Sequence, residues 1–467
     1  MSGINIKNIR AQFKKTDDIR YRNIECASVE VQMVYINSMC DGKYISDFMI
    51  RPLMDKLHRR DSLEVIMHEI IQADFVTEIL TMEEAVRNVL SGNVLFIFPH
   101  LEQCISCEAK GFVKRAVTIP QTETVIKGPR EGFTEDIHDN ITAIRRHIRS
   151  PKLKVENYVV GSESQTQVAM LYIEDLAPKE LLNFCREKIN SIQKHFVVYS
   201  NTIETSLRCK WTPFDTIGYT EKPDVAVSKL SEGRVIIFVN GTPNCITAPL
   251  FFIENFQTAD DYTLNVFMSN TGRAFRWIAF FLSTFVPGLY LALVTYHFRL
   301  VPNVFLYRLV LFRAGVPVPT IVELLYMILF FQLIREAGIR LPQPIGPTLS
   351  IVGALILGEA AVTTGLASQI TVVIVAITSI AAFLIPVLDA ATFVCSTIII
   401  FLAGLNGLPG FYIGSFMLIA HLAGLTSCGY PYLFPLGTFK TFKYKDIIFR
   451  SPDMNEINSA PLTKDEN

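Results

Sequence analysis

The stretch REAGIRLPQPIGPTLSIVGALILGEAAVTTGLAS, Arg335–Ser368, decides the fold. It opens with charge at Arg335, Glu336 and Arg340, breaks at Pro342, Pro344 and Pro347, and then runs apolar and rich in small residues. No Lys or Arg occurs from Leu341 to Phe439, and the ionisable residues of note there are Glu359, Asp389 and His421. So long a stretch without a cation is not the surface of a soluble domain; it reads as membrane-embedded chain. The proline-broken turn reads as entry into the membrane or as a re-entrant turn buried in protein, because lipid tolerates no open backbone.

The rest of the chain is different. Charged residues still make up 19% of the 467, which fits a charged soluble half joined to an apolar membrane half. A net charge of −1 offers no polyanion-binding surface and disfavours nucleic acid. Nine cysteines, scattered from Cys26 to Cys428, suggest reduced thiols rather than a disulfide framework. The opening MSGINIKNIRAQFKK has no apolar core, so no cleaved signal peptide is expected.

Taken in order, residues 1–25 are polar and mixed in charge and are expected to be a flexible N-terminus. Residues 26–270 read as a cytoplasmic α/β domain, because strands alternate with helices. Strand patterns occur at 29–35, Val94–Phe98, Val155–Val160, Val168–Ile173 and Arg234–Asn240. Helical patterns occur at Ile45–Arg60, from the capping box at Thr81–Glu84 to Gly92, at Ile137–Arg149, and from Pro178 to Ile192. A seam near 110–127 divides this domain into two subdomains.

Residues 271–438 read as an all-α multi-pass membrane domain and 439–467 as a cytoplasmic tail. Trp277–Tyr296 is a span with interfacial aromatics and a kink expected at Pro287-Gly288. Phe298–Arg313 reads as an interfacial amphipathic segment. Apolar runs at 319–334, 348–367, 370–388, 392–405 and 411–426 bring the count to about five spans, with four to six possible. Arg273 and Arg276 before the first span, and Lys440, Lys443, Lys445 and Arg450 after the last, place both ends in the cytoplasm. That requires an even number of spans, and Arg299, Arg308 and Arg313 argue the other way.

Little points to catalysis. His68-Glu69-Ile70-Ile71-Gln72 lacks the second His of a zinc-protease helix, and Cys104-Ile105-Ser106-Cys107 is a lone CxxC. No phosphate-binding loop, nucleophile–base pair or metal cluster is present, so no catalytic, cofactor or metal residue is assigned. Gly128 to Phe133 specifies a tight turn, and Thr134–Asp136 caps the helix after it. Arg130, Glu131 and Arg145 fit either a well-capped helix with a solvated basic end or a subunit or subdomain interface. Small residues recur at Ser350, Ala354 and Gly358 and at Gly353, Ala361 and Gly365, which allows close helix approach. Glu359 lies mid-run with Thr363 one turn on, so it faces protein or water, or else caps a half-helix at the interface. Asp389 follows Pro386 near a helix end, and Glu323 lies in the 319–334 run.

Several motifs fall in a familiar order. REAGIRLPQPIG with IVGALILGEAAV, KGPREGFTED (Lys127–Asp136), NITAIRRHIRSPKL (Asn140–Leu153), PDVAVSKLSEGRVIIFVNGTP (Pro223–Pro243), TADDY (Thr258–Tyr262) and YPYLFP (Tyr430–Pro435) together resemble the A subunits of the GerA family of spore germinant receptors. Lys222 stands where the family usually has Arg, which keeps the charge and loses the bidentate fork. The resemblance implies a pair of α/β subdomains facing the spore core, and a multi-pass protein of the spore inner membrane. It also implies a complex with a transporter-like B subunit, which carries the nutrient site, and a lipoprotein C subunit. The A subunit would self-associate among membrane lipid and form or gate a path for monovalent cations, with no cofactor. Glu359, Thr363, Asp389 and Glu323 are then the candidate ion path, and Arg130, Glu131, Arg145, Arg335, Gly353 and Gly358 the candidate interface and signalling residues. A secondary transporter and a membrane-anchored enzyme are the alternatives.

Overall fold

The structure, a computed structural model, describes residues 4–26, 29–109, 111, 123, 125–340, 353, 356–436, 446 and 448–450. Its soluble half holds two five-stranded sheets. The first contains β1 (Ile19–Cys26), β2 (Val29–Ile36), β3 (Val76–Glu78), β4 (Asn93–Phe98) and β5 (Gln103–Glu108) in the order β1-β2-β4-β5-β3. The second contains β6 (Leu153–Val160), β7 (Thr166–Ile173), β8 (Gly218–Thr220), β9 (Val235–Val239) and β10 (Cys245–Ala248) in the order β6-β7-β9-β10-β8. The two orders are the same pattern, and every pair in both is antiparallel. The helices repeat too. In the first sheet α1 (Ile6–Gln12) precedes β1 and α2 (Met82–Leu90) joins β3 to β4. In the second α3 (Ile137–His147) precedes β6, α4 (Lys179–Asn190) follows β7, and α5 (Pro223–Ser231) joins β8 to β9. The soluble half is therefore one α/β unit used twice. Most of the expected seam, 110, 112–122 and 124, lies outside the described residues.

The expectation of a flexible N-terminus is corrected. Ile9 and Phe13, four apart and so on one helix face, are both buried against Val34, Ile36 and Val89. Along β1, Ile19, Ile24 and Cys26 are buried while Arg20, Arg22 and Asn23 are not, a half-buried strand at the sheet's edge. The loop between α1 and β1 then docks on the second sheet. Asp17 donates its backbone N–H to Val155 O at 2.9 Å and accepts from Asn157 N at 2.9 Å. Asp18 takes a two-pronged ion pair from Arg145 of α3, Nε to Oδ2 at 2.9 Å and Nη2 to Oδ1 at 3.0 Å, with Arg145 fully buried. This pair clasps the two sheets together.

The helical half begins with α6 (Val266–Thr295), which runs unbroken through Pro287. It continues with α7 (Asn303–Arg313), α8 (Thr320–Arg340), helical turns over 356–363, α9 (Gln369–Phe383), α10 (Asp389–Asn406) and α11 (Leu408–Gly424). Among the described residues Val266–Thr295 and Pro386–Asn406 are long and apolar enough to cross a membrane, and α9 and α11 are shorter apolar helices. Contacts fix their directions. At the end of α6, Tyr296 donates to Gly404 O at 2.7 Å. Leu388 and Ala391, at the start of α10, join Phe252, Phe256 and Phe280 near the soluble half. So α10 runs with α6, away from the soluble half, and α11 returns, ending at Leu422 and Leu425 in the same cluster. Glu323 and Thr371 stand beside Ser368 and Tyr290 at the far end, and Arg335 and Phe383 stand together at the near end, so α8 and α9 both run back toward the soluble half. A Cβ on Gly288 would lie 2.6 Å from Ile399, so the close crossing of α6 and α10 needs glycine there.

The clasp is testable. Removing one partner of a buried ion pair strands the other, at a cost of about 3–5 kcal/mol. Arg145→Ala is expected to lower the unfolding free energy of the soluble half by that amount, while Arg130→Ala, at an exposed position, changes it by less than about 0.5 kcal/mol. Urea denaturation followed by far-ultraviolet circular dichroism measures both, and equal effects of the two substitutions count against the clasp.

Candidate functional site

Three pieces of chain meet where the soluble half gives way to the helices: the turn Thr258–Tyr262, the first turns of α6, and the segment after α11. Arg273 and Arg276, three apart, share one face of α6. Both reach Asp261, Arg273 Nε to Oδ2 at 2.9 Å and Arg276 Nη2 to Oδ1 at 2.5 Å, and all three residues are buried. Thr258 gives the same carboxylate its backbone N–H at 3.1 Å. Arg273 also donates to Asp446, whose other oxygen takes the Tyr262 hydroxyl at 2.6 Å. Arg450 donates to the carbonyls of Asp261 at 2.6 Å and Leu264 at 3.0 Å. Burial, and then the Asp446 carboxylate, push the Tyr262 phenol well above its ordinary range. Two acids and three guanidinium groups thus lock the root of the first long helix to both the soluble half and the tail.

A second brace lies beside it. Glu254 accepts from Lys229 of α5 at 2.8 Å and pairs with Arg234, just before β9, at 2.6 Å. Arg234 also donates to Pro249 O at 2.8 Å, and its guanidinium lies over the Phe251 ring. This fixes the turn Phe252–Phe256, whose rings meet the helices: Phe256 stacks on Trp277 at 3.8 Å, and Phe252 packs edge-on against Phe280. From the other side comes Tyr432, fully buried, donating its hydroxyl to Asp215 O at 2.9 Å and accepting from Phe252 N through its carbonyl. Ser427 donates to Thr216 O and accepts from Leu250 N. The chain leaving α11 is therefore threaded back into the soluble half.

The residues singled out from sequence fall in different places. Arg130 is exposed at the tip of a loop pinned by Ile126 N to Asp260 Oδ1 at 3.0 Å and Phe133 N to Glu221 O at 2.8 Å. Glu131 pairs with Arg146 at 3.0 Å, and Arg145 is consumed by the clasp. Lys222 is buried with its ammonium 3.1 Å from Asp224. In the bundle, Arg335 pairs with Asp389 and lies 4.6 Å over the Phe383 ring. Glu323 is fully buried at the far end, accepting from Ser368 N, while its second oxygen has no partner; Tyr290 and Thr371 share a hydrogen bond nearby. Glu359 and Thr363 are exposed, the Thr363 hydroxyl donating to Glu359 O at 2.9 Å. The four candidate ion-path residues are thus not gathered within one chain. A Cβ on Gly353 or Gly358 would make ordinary contact with Ile334 or Val372 of the same chain, and Ser350 and Ala354 lie outside the described residues. His68 is exposed, and Cys104 and Cys107 pack on opposite faces of the first sheet, which rules out a shared metal.

Sequence reading missed the joining role of Asp261, Glu254 and Asp446. The signal was partly visible. TADDY places Asp261 12 positions before Arg273 and 15 before Arg276, and SEGR places Arg234 directly before a buried strand. Nothing in the spacing brings Asp446 back across the bundle.

Known proteins resemble this chain along nearly its whole length. The model of the Bacillus/Clostridium GerA spore germination protein family matches residues 7–461. Spore germination protein KA of Bacillus subtilis (strain 168) is 32% identical over 456 residues, covering 96% of this chain and 84% of that protein. The membrane protein YfkQ of the same organism is 33% identical over 458 residues, covering 96% and 88%. The crystal structure of the N-terminal domain of the A subunit of the Bacillus megaterium spore germinant receptor GerK3 matches at 25% identity and a TM-score of 0.42, covering 53% of this chain and 94% of that one.

The Glu254 brace carries a pH signature. Burial disfavours the carboxylate, but Arg234 and Lys229 outweigh it and hold the group below its ordinary 4.5. A depressed carboxyl contributes stability that is present above the unfolded value and lost as pH falls through the folded one. Glu254→Gln is therefore expected to be less stable than the native chain at neutral pH, with the gap narrowing below about pH 4.5. Thermal unfolding of both chains from pH 7 to 3 measures this; a gap independent of pH contradicts it.

Proposed function

The chain belongs to the GerA family of spore germination proteins, and we propose that it serves as the A subunit of a nutrient germinant receptor that oligomerises in the spore inner membrane to form or gate a cation path. Four things support a membrane-crossing reading: the apolar helices, the absence of Lys and Arg from Leu341 to Phe439, the start of α6 and the end of α11 both abutting the soluble half, and two long helices of spanning composition. With both ends on one side the number of crossings is even. The positive-inside rule puts that side, and the soluble half, in the spore core.

The observation that carries the ion-path proposal is the exposure of Glu359. An ionised carboxylate on the lipid face of an apolar helix costs about 2.5–3.5 kcal/mol, so such a residue faces protein or water. Glu323 and Asp389 are occupied inside one chain, whereas Glu359 and Thr363 project from it. A ring of copies would turn these side chains toward a shared axis, where carboxylates line a cation pore. The transporter-like B subunit and the lipoprotein C subunit are partners on the same family reading. The exposure of Arg130 on a pinned loop supports its reading as a contact with one of them.

Glu359→Gln keeps shape and removes charge. Spores carrying it are expected to assemble the receptor at normal level and to release potassium several-fold more slowly on nutrient addition. Potassium release at the native rate, with the receptor at native abundance, removes Glu359 from the path.

A further inference from the structure

Trp211 is 98% exposed, and its backbone sits at φ +61, a left-handed conformation that costs a non-glycine residue about 1–2 kcal/mol. The loop that holds it is nonetheless fixed. Cys209 N donates to Thr216 Oγ1 at 2.9 Å, Phe214 is buried in the aromatic junction, and Thr212 Oγ1 lies 3.0 Å from His421 Nε2. His421 is in the last turn of α11, so Trp211 stands beside the point where that helix meets the soluble half. The outer face of α11 is apolar and exposed, with Phe416 at 69%. Lys210, next to Trp211, is exposed as well.

We propose that this loop is an interfacial anchor, the Trp211 ring and the Lys210 ammonium lying in the headgroup region of the bilayer that the helices cross. The proposal rests on the membrane reading above. An indole is amphipathic and favours the boundary between headgroups and acyl chains, and a lysine beside it meets anionic headgroups. One exposed apolar residue on a soluble surface needs no account. Here the ring is held outward at a conformational cost, on a rigid loop bonded to the end of an apolar helix, level with the edge of that helix's apolar face. The anchor would hold the second sheet against the membrane independently of the charged junction at Asp261.

The chain has two tryptophans, and Trp277 is stacked on Phe256, so the Trp211 signal is the difference between the native chain and Trp211→Phe. The full chain is placed in nanodiscs of phosphatidylcholine and phosphatidylglycerol brominated either near the headgroup or near the chain end. Trp211 emission is expected to shift to shorter wavelength and to be lost more strongly to bromine near the headgroup. A second probe, Phe416→Trp in the Trp211→Phe chain, reports the bilayer itself and is expected to be quenched by the deeper bromine. Quenching of that probe without quenching of Trp211 overturns the anchor and leaves the membrane reading intact. Absence of quenching at both positions overturns the membrane reading and the anchor with it. A Trp211 shift that appears only as protein concentration rises, without quenching by bromine, assigns the loop to contact between copies and also overturns the anchor.

Discussion

The carboxylate of Asp261, held between two buried guanidinium groups of α6, is the constraint on which the two halves depend. Taking three charges out of water is costly, and their mutual attraction repays that cost only when geometry and further hydrogen bonds are complete. Here Thr258, Asp446 and the backbone of α6 supply most of them, while Arg273 Nη2 stays buried without a partner. The arrangement buys position rather than net stability. With its root fixed in two directions, α6 cannot rotate or slide against the soluble half without stranding a charge. The aromatic stack of Phe256 on Trp277 lies a turn further along the same helix and sets its remaining freedom.

The second half of the junction is built from the other end of the chain. Tyr432 and Ser427 reach back from α11 to backbone groups at Asp215, Thr216, Leu250 and Phe252. First and last helices are thus tied to chain flanking the second sheet, with Phe252 in contact with α6 and with the chain leaving α11. A displacement of that sheet moves α6 and α11 together. The Arg145–Asp18 clasp extends the connection to the first sheet, because the loop carrying Asp18 also pairs with β6. One continuous path of buried polar contacts and packed rings runs from the N-terminal sheet to the helix bundle.

Much of this was legible in the sequence. Alternation of strand and helix patterns identified the α/β half, and the cation-free stretch identified the helical half. Individual strands such as Val94–Phe98 were marked by unbroken apolar runs. The N-terminal helix was hidden because its apolar face is short: Ile9 and Phe13 are buried and Ile4 and Ile6 partly so, among polar and charged neighbours. The duplicated topology was hidden because it lives in strand order, which periodicity does not report. Arg145 looked like the basic end of a capped helix; its partner is 127 residues away. Asp389 looked like a residue at a helix end, and its pairing with Arg335 spans 54 positions. Long-range pairing of this kind follows from the fold and not from local chemistry.

The placement of the acidic residues in the helical half carries a last step. Asp389 is neutralised by Arg335 at the near end, so the bundle's inner face there is closed to a free carboxylate. Glu323 is buried at the far end with one oxygen unpartnered, inside a single chain and shielded by Tyr290, Thr371 and Ser368. Glu359 is exposed, as is Glu336, which pairs with Arg340 of its own helix. A cation passing through the interior of one chain would meet the Arg335–Asp389 pair at one end and the buried Glu323 at the other, with the buried hydroxyls of Thr284 and Ser396 between them. A route between copies meets Glu359 and Thr363 on the same helical face. On the proposed reading, assembly relieves the cost of holding an exposed carboxylate at membrane depth. Conduction and oligomerisation are, on that reading, one requirement, because the side chain that would need a partner copy to leave lipid is the one proposed to line the path.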